Sequence, residues 1–319
     1  MMVDICVIMS VYNEPLLYVK QSVESILNQT KHDFKFVIVC DNPRRLELIE
    51  FLDNYRQKDQ RIVLFINPKN RGLAKSLNTA FRLVEAKYYA RMDADDIAYP
   101  MRLERQFEYM EENPTCDIHS SCRTLIDDMQ VEIRQEIPHK LTSKDMKKVL
   151  LKGCPITHPT IMVRREVYQK LAGYRDLPVA EDYDFYLRAL NAGFTIEKTA
   201  DVLLSYRINP ASLTHSNVYK TICLTHYIQS LYRKRLKGQE DSYSEEGVNE
   251  FVNRLQLDNP FFVKKRNAIW EKFKTFQSQK NYISLLFLLI RTPWLLRYVA
   301  EGIVYKYTLN KFRKVSTNV

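Results

Sequence analysis

The chain has 319 residues, of which 45% are hydrophobic, so it can bury one large core with an appendage and is not a disordered protein. Its net charge of +10 comes from the last third, because residues 1–215 hold 30 basic and 30 acidic side chains and residues 216–319 hold 18 and 8. The six cysteines form no CxxC pair and no signal peptide is recognisable, which predicts free thiols in a reducing cytoplasm.

The first hundred residues alternate predicted strands and helices. Continuous apolar runs predict buried strands at 5–11, 34–40 and 62–66, with a fourth strand from residue 88. Apolar residues at helical spacing predict helices at 15–29, 46–55 and 73–86. Three strand–helix units in succession indicate a parallel sheet with right-handed crossovers.

The fourth strand, within YYARMDADDIAY at 88–99, ends in the carboxylates of Asp93, Asp95 and Asp96. Open α/β sheets bind ligands at the carboxyl ends of their strands, and on a strand Asp93 and Asp95 would point to one face. Packed carboxylates repel one another unless a cation lies among them, so the pattern indicates a site for Mg²⁺ or Mn²⁺. A solvated acidic turn is the alternative interpretation.

Helices and strands are mixed between residues 100 and 208. Helices are predicted at 100–112, 142–152 and 181–192, with a short one ending near Gly173. Thr142 or Ser143 is expected to cap the second of these, and Gly153 to end it. Strands are predicted at 116–121 and 158–163, with an extended segment at 194–208, whereas 123–140 shows no clear pattern.

Beyond residue 215 the pattern is helical and basic. A basic amphipathic helix is predicted at 219–236, followed by a polar linker at 238–247. The most apolar run, YISLLFLLI, has nine residues, whereas a membrane-spanning helix needs about twenty. We therefore interpret 281–312 as one or two amphipathic helices on an anionic membrane surface. A packing surface against the rest of the chain or a partner chain is the alternative, and an oligomer is possible.

Six stretches in order resemble glycosyltransferase family 2: VIMSVYNEP, SILNQT, VCDNP, NRGLAKSLN, MDADD and AEDYDFYLR. The resemblance covers residues 5–207 and implies the GT-A (nucleotide-diphospho-sugar transferase) fold, an α/β fold with a mostly parallel central sheet flanked by helices. It implies a catalytic domain at 1–215, with a nucleotide-binding half at 1–100 and an acceptor-binding half at 101–215. Residues 216–319 would be a helical, basic, membrane-associating extension.

The resemblance also implies an activity. It implies a metal-dependent inverting transfer of a sugar from a nucleotide sugar, a UDP-sugar, to a hydroxyl group, with Mn²⁺ or Mg²⁺ as cofactor. The QxxRW motif of processive synthases is absent, which favours addition of a single sugar. A lipid-linked saccharide acceptor in surface polysaccharide synthesis (O-antigen or capsule) is expected, with the enzyme at the inner face of the cell membrane. No nucleic-acid partner is expected, because no recognised module is present.

By resemblance, the donor side of the site includes Val11, Tyr12, Asn13, Glu14, Asp41, Arg71, Lys75, Asn78, Asp93, Ala94 and Arg207. Asp41 matches the acid that hydrogen-bonds the uracil imide, although Asn42-Pro43-Arg44 stands where the family often has Gly-Ser. Asp95 matches the metal-coordinating acid. Asp93 matches the acid beside the ribose or a metal-bound water, and is a second metal candidate. His215 is a candidate third ligand.

Glu181 and Asp182 open a predicted helix, where the helix dipole stabilises carboxylates. Inverting transfer needs a base that deprotonates the acceptor hydroxyl during attack on C1. By resemblance, Asp182 is this base, Glu181 binds or orients the acceptor, and His158 lies near the acceptor. The alternative is that both acids only cap the helix.

Two other functions are weighed from the residues. A DxD phosphohydrolase would use Asp93 as nucleophile, but Asp96-Ile97 fits that motif poorly. A non-catalytic protein could grip anions or nucleic acid through its basic tail, but the basic residues are spread along helices with apolar faces. No GxGxxG follows the first strand, which disfavours a dinucleotide-dependent oxidoreductase.

Overall fold

The computed structural model describes residues 2–208 and 217–316, with side chains up to residue 312. Within these ranges, the strands are β1 (Val3–Val11), β2 (Lys35–Cys40), β3 (Ile62–Ile66), β4 (Ala86–Asp93), β5 (Ile97–Ala98), β6 (Ile118–Ile126), β7 (Glu132–Gln135), β8 (Met162–Arg164) and β9 (Ile196–Arg207). They form one sheet in the order β3-β2-β1-β4-β8-β6-β9-β5, with β7 paired to β6.

The helices of the first 208 residues are α1 (Leu16–Leu27), α2 (Leu46–Lys58), α3 (Leu73–Leu83), α4 (Arg102–Glu112), α5 (Ser143–Leu150), α6 (Arg165–Leu171) and α7 (Glu181–Asn191). Those that follow are α8 (Val218–Leu236), α9 (Glu245–Arg254), α10 (Pro260–Ser278), α11 (Tyr282–Arg291) and α12 (Pro293–Ser316).

The predicted parallel sheet is confirmed for the first half of the chain. β1 pairs in parallel with β2 and with β4, and β2 pairs in parallel with β3. β8 joins β4 in the antiparallel sense and connects this half to β6 and β9. The four parallel strands therefore end at one edge, where open α/β sheets bind ligands.

Apolar side chains on both faces of the sheet explain its central position. Along β1, Cys6 and Ile8 pack into a core shared with α3, α5, α6, α7 and α8. Their neighbours Ile5, Val7 and Met9 pack into a second core shared with α1, α2 and α4. Successive strand residues point to opposite faces, so a continuous apolar run buries both of them.

Several predicted boundaries are wrong for local reasons. The strand predicted at 158–163 begins only at Met162, because His158–Thr160 form a 3-10 turn closed by the Thr160 N–H and hydroxyl on the Thr157 carbonyl. Helix α3 ends at Leu83, because Ala86 already pairs with β1. Other departures are that β6 runs from Ile118 to Ile126, that β7 lies in the unassigned 123–140 segment, and that α9 begins inside the predicted 238–247 linker.

Other local predictions are confirmed. Thr142 caps α5 as expected, and its hydroxyl accepts the Asp145 N–H while the Asp145 carboxylate accepts the Thr142 N–H. This reciprocal capping box fixes the start of the helix. The apolar run at 282–290 forms a helix of its own, α11, as the sequence indicates.

The C-terminal helices pack on the sheet-containing part of the chain. Leu224 and Ile228 of α8 are buried in the core, and the Gln229 amide donates to the Tyr183 hydroxyl of α7 at 3.1 Å. Tyr305 of α12 donates to the Cys154 carbonyl at 3.2 Å. The alternative of a packing surface therefore holds for one side of α12.

A membrane-spanning helix is not found as a single element in the described part of the chain. Helix α11 and residues 293–312 of α12 together reach the required length and apolar composition. They are, however, bent by 116° at the break between them.

Candidate active site

Three strand ends bring the predicted donor-side residues together. Val11 pairs with Cys40, and Ser10 pairs with Asp93, so the ends of β1, β2 and β4 lie side by side. The chain beyond each end carries the Tyr12–Glu14 turn, Asp41 and the 93–96 acids respectively. The sheet register therefore assembles residues that lie far apart in the sequence.

The acids after β4 form a compact cluster. One carboxylate oxygen from each of Asp93, Asp95 and Asp96 lies within 4.8 Å of the other two. The turn is held by Ser22, whose hydroxyl donates to the Asp93 carbonyl at 2.8 Å. Asp96 is buried and accepts the Arg207 N–H at 2.8 Å, but its Oδ2 has no hydrogen-bond partner among the described residues.

The electrostatics of this cluster fit a divalent cation. Burial, followed by the charges of Asp93 and Glu14, raises the pKa of Asp95 to about 7. Burial, followed by the charges of Asp93 and Asp95, raises the pKa of Asp96 well above its usual range. Clustered hard oxygen donors and an unpartnered buried carboxylate oxygen suit Mg²⁺ or Mn²⁺. His215, the candidate third ligand, lies outside the described residues.

Arg207 holds the turn at Asp95 and Asp96 through hydrogen bonds. Its buried guanidinium donates to the carbonyls of Asp95 at 2.9 Å and Asp127 at 2.8 Å, and to the Gln21 side chain at 2.8 Å. It also lies over the ring of Tyr18 at 4.1 Å from the ring centroid. The guanidinium of this predicted donor-site residue therefore binds groups of the protein itself.

Asp41 organises the loop that precedes α3. Its carboxylate accepts the backbone N–H groups of Arg71 at 2.8 Å and Gly72 at 2.9 Å, and the Asn67 amide at 2.7 Å. Gly72 has φ +81°, a conformation that a residue with a Cβ rarely adopts. Asp41 therefore fixes the loop between β3 and α3 beside the strand ends.

Among the other donor-side residues, some are exposed to solvent and others are buried. Tyr12 and Asn13 are exposed; the Tyr12 N–H donates to Glu14 at 2.7 Å, and Asn13 accepts from the Asn42 amide at 2.8 Å. Val11 and Ala94 are buried beside them. The backbone turn is thus held by its own side chains with the Tyr12 ring facing solvent.

The two polar side chains of α3 contact other parts of the protein. Lys75 pairs with Asp176 at 2.5 Å and lies 3.6 Å from Glu245. Both amide atoms of Asn78 bind the backbone of Tyr174, at 2.7 and 2.8 Å. Arg71 has an exposed side chain with no ion pair in the described part of the chain, and the same holds for Lys69 of this loop.

The acceptor-side acids open α7 and face the same cleft as Asp93. Asp93, His158, Glu181 and Asp182 line one cleft of about 490 Å³. Burial raises the pKa of Asp182 to about 6. The hydrogen bond that its carboxylate accepts from the Tyr183 N–H acts in the opposite direction and lowers the pKa. Burial and the charge of Asp182 raise the pKa of Glu181 to about 8.

His158 is held as a neutral ring in this cleft. Burial and the nearby Arg91 charge lower its pKa well below the usual range. Its Nε2 lies 2.9 Å from the Tyr174 hydroxyl, and its Nδ1 lies 3.9 Å from Glu181. Burial favours the neutral forms of both Glu181 and His158, which argues against an ion pair at this contact.

The cleft contains residues that the sequence did not indicate. They are Arg123 of β6, and Thr221 and Thr225 of α8. A buried arginine, Arg91, also pairs with Asp93. The position of Arg91, a charged residue inside an apolar strand, could have indicated a functional role from the sequence. The i, i+4 spacing of Thr221 and Thr225, which places them on one face of a helix, was a weaker indication.

Comparisons with known proteins show the family to which this chain is related. Residues 6–172 match the model of glycosyl transferase family 2. An uncharacterized glycosyltransferase of Methanocaldococcus jannaschii, MJ1057, is 37% identical over 233 residues, which cover 73% of this chain and 80% of that protein. The O-antigen biosynthesis glycosyltransferase WbnJ of Escherichia coli is 32% identical over 233 residues, 72% of this chain and 90% of that protein.

Among solved structures, residues 1–349 of S. aureus TarS in complex with UDP-GlcNAc are similar, with a TM-score of 0.60 and 17% identity. The match covers 78% of this chain and 70% of that one, and it shows the GT-A type of fold. Neither the DxD phosphohydrolase nor the non-catalytic binding protein is supported by these findings. The chain belongs to glycosyl transferase family 2 and is a glycosyltransferase.

Proposed function

We propose that the chain transfers one sugar from a UDP-sugar to a saccharide hydroxyl, with inversion at C1 and with Mn²⁺ or Mg²⁺ bound by Asp95 and Asp93. The observation that carries this proposal is that Asp93 and Asp182 line one cleft. A donor-side acid and a carboxylate able to accept a proton near neutral pH thus face the same space. Separate cavities would not support a direct transfer.

The chain's own residues account for binding and proton transfer. Asp41 and the 71–72 loop form the wall against which a nucleotide base would lie, and Arg71 can reach its diphosphate. A divalent cation bound by Asp95 and Asp93 would neutralise charge on the diphosphate as the glycosyl bond breaks. Asp182 accepts the proton of the acceptor hydroxyl as that oxygen bonds to C1, while neutral Glu181 can donate a hydrogen bond to the acceptor.

The donor proposal is tested by UDP release. UDP-sugars should release UDP slowly in the presence of Mn²⁺, with water as acceptor, and EDTA should stop the release. The complex of S. aureus TarS with UDP-GlcNAc makes that nucleotide sugar a sensible first donor. Absence of both UDP release and UDP binding across a panel of UDP-sugars would overturn the proposal.

Activity is expected to fall as the pH drops through about 6. The pKa of Asp182 is raised to about 6, so its carboxylate can take a proton above that pH and is already protonated below it. We expect kcat/KM for UDP release, measured at saturating Mn²⁺, to show an acidic limb with that midpoint. A limb near the ordinary aspartate pKa of about 3.9 would contradict this assignment.

For the acceptor we propose a lipid-linked saccharide in surface polysaccharide synthesis, reached from the cytoplasmic face of the membrane. The name of the E. coli relative, an O-antigen biosynthesis enzyme, supports the polysaccharide part. The lipid part is supported by α11 and α12, which expose large apolar side chains: Ile283 72%, Phe287 61%, Ile290 64%, Ile303 63% and Tyr307 63%. Exposed Arg291 and Lys306 lie among them.

Replacing the exposed apolar side chains of α11 should release the protein from membranes. We expect the triple variant Ile283→Ser, Leu286→Ser, Phe287→Ser to lose binding to vesicles of anionic phospholipid in a sedimentation assay, because less apolar area enters the lipid. These residues are exposed, so the fold should not change. Met129→Ser, at an exposed apolar residue outside these helices, is the control and should bind like wild type. Equal sedimentation of all three proteins would contradict the membrane proposal.

A further inference from the structure

The loop between α6 and α7 leads directly to the proposed base. It covers residues 172–180, and its last two residues, Val179 and Ala180, line the cleft beside Glu181 and Asp182. Ala180 has φ +62°, a backbone conformation that residues with a Cβ rarely adopt and that persists only where surrounding contacts hold it. The position of Asp182 therefore depends on the contacts that hold this loop.

The segment between α8 and α9, which the sequence predicts as a polar linker, makes three contacts with this loop. Asp241 accepts a hydrogen bond from Arg175 Nη2 at 2.5 Å. The Arg175 guanidinium also lies over the Tyr243 ring, at 4.3 Å from the ring centroid, and the Tyr243 hydroxyl donates to the Asp176 carbonyl at 3.3 Å. The segment therefore holds the loop as well as connecting two helices.

The same ion pair extends to both ends of α7. Arg175 Nη1 lies 3.5 Å from the fully buried carboxylate of Asp184, in the first turn of α7. Asp241 also pairs with Arg235 at 2.8 Å, and Arg235 Nε donates to the side chain of Asn191, the last residue of α7, at 2.8 Å. Asp241 thus links the two ends of the helix that carries the base.

Partial burial distinguishes this bridge from a surface ion pair of the same C-terminal helices. The side chains of Arg175, Asp241 and Arg235 are 20%, 24% and 11% exposed, whereas Asp258, which pairs with Lys220, is 58% exposed. Solvent screens an exposed pair, so such a pair contributes little. Hydrogen bonds between charged groups that are shielded from water are stronger and fix one geometry.

We propose that Asp241 is a positioning residue for the base: through Arg175 it holds the loop before α7 in the conformation that presents Asp182 to the cleft. The inference rests on the proposed function in naming Asp182 as the base. The family model matches residues 6–172, so Asp241 lies outside the matched part of the chain. The C-terminal part of the chain thereby contributes to the active site as well as to the proposed membrane contact.

The first test is backbone hydrogen exchange, which compares Asp241→Asn with Asp258→Asn. The second variant is the matched control, because it removes a surface ion pair of the C-terminal helices that does not involve the 172–180 loop. Mass spectrometry should show faster exchange at 174–184 in Asp241→Asn, since the loop opens more often without its charged contact. Exchange at 174–184 in Asp258→Asn should match that of wild type.

The second test separates catalysis from donor binding. In Asp241→Asn, kcat for Mn²⁺-dependent UDP release should fall by roughly 10- to 100-fold, because a misplacement of about 1 Å at a reacting group has an effect of that order. The Kd for UDP in Mn²⁺, measured by calorimetry, should stay at the wild-type value. Asp258→Asn should keep both wild-type values.

A double-variant cycle identifies the route of the effect. Because Asp241 acts through Arg175, the double variant Arg175→Met, Asp241→Asn should release UDP no more slowly than Arg175→Met alone. Losses that multiply in the double variant would show that the two residues act independently, and they would overturn the assignment.

Unchanged exchange at 174–184 in Asp241→Asn would also overturn the assignment, as would faster exchange with a wild-type kcat. If Asp241→Asn does not fold, Tyr243→Phe, which removes the hydroxyl donated to the Asp176 carbonyl, should show the faster exchange, and wild-type exchange in it would overturn the assignment. The exchange measurement uses no nucleotide sugar. Failure of UDP release in the wild-type protein would therefore overturn the transferase proposal and leave the exchange result standing.

Discussion

Asp95→Asn is expected to lose Mn²⁺-dependent UDP release by roughly 10²- to 10³-fold, the effect of removing one group that stabilises developing charge. Burial and neighbouring acids raise the pKa of Asp95 to about 7, and a cation bound among these acids would favour its ionised form. The amide is nearly isosteric but neutral and a poorer ligand. Removal of one acid from a repelling cluster should leave the fold intact or slightly more stable.

The measurement is a Mn²⁺ titration of UDP release for wild type and Asp95→Asn. The variant should need more Mn²⁺ for half-maximal activity as well as having a lower maximum. Asp33→Asn, an exposed acid between α1 and β2, is the matched control and should behave as wild type. An unchanged Mn²⁺ dependence in Asp95→Asn would show that the cation binds elsewhere.

Asp182→Asn is expected to abolish most transfer while leaving donor binding intact. Loss of a general base costs roughly 10²- to 10⁴-fold in rate, and Asn cannot accept the acceptor proton. The Asn side chain can still accept the Tyr183 N–H at the start of α7, so the helix should keep its first turn. Because an ionised Asp182 costs stability above about pH 6, the variant should also melt at a higher temperature than wild type at pH 8.

The combination of results is what identifies a base. UDP binding in the presence of Mn²⁺, measured by calorimetry, should be unchanged in Asp182→Asn, whereas UDP release falls. If the two acids only capped the helix, the variant would lose stability and keep its rate. That outcome would contradict the assignment of Asp182 as the base but would leave the proposed cation site unaffected.

Much of the fold could be predicted because the buried strands are unambiguous in sequence. Residues 5–11 are apolar without interruption, and this is the pattern of a strand covered on both faces. The Thr142 cap was also predictable, because capping depends on residues only three positions apart. The turn at His158 was not, since Pro159 lies in a segment whose apolar residues fit a strand equally well.

The site was less predictable, because the direction of a side chain depends on the tertiary structure. The sequence indicated Arg207 as a donor-site residue, but its position relative to the 95–96 turn places its guanidinium on backbone carbonyls. Lys75 likewise pairs with Asp176, which only the fold brings near. Thr221 and Thr225 line the cleft because α8 packs on α7, which the helical pattern alone could not specify.

The central claim is that one cleft joins a metal-dependent nucleotide-sugar site to a carboxylate base. It is tested most directly by calorimetric titration of UDP into the wild-type protein, with Mn²⁺ and with EDTA, beside Asp95→Asn and Asp182→Asn. The account predicts that UDP binds wild type and Asp182→Asn equally in Mn²⁺, and that EDTA or Asp95→Asn weakens binding. UDP binding that is the same in EDTA and in Asp95→Asn, or no UDP binding at all, would contradict it.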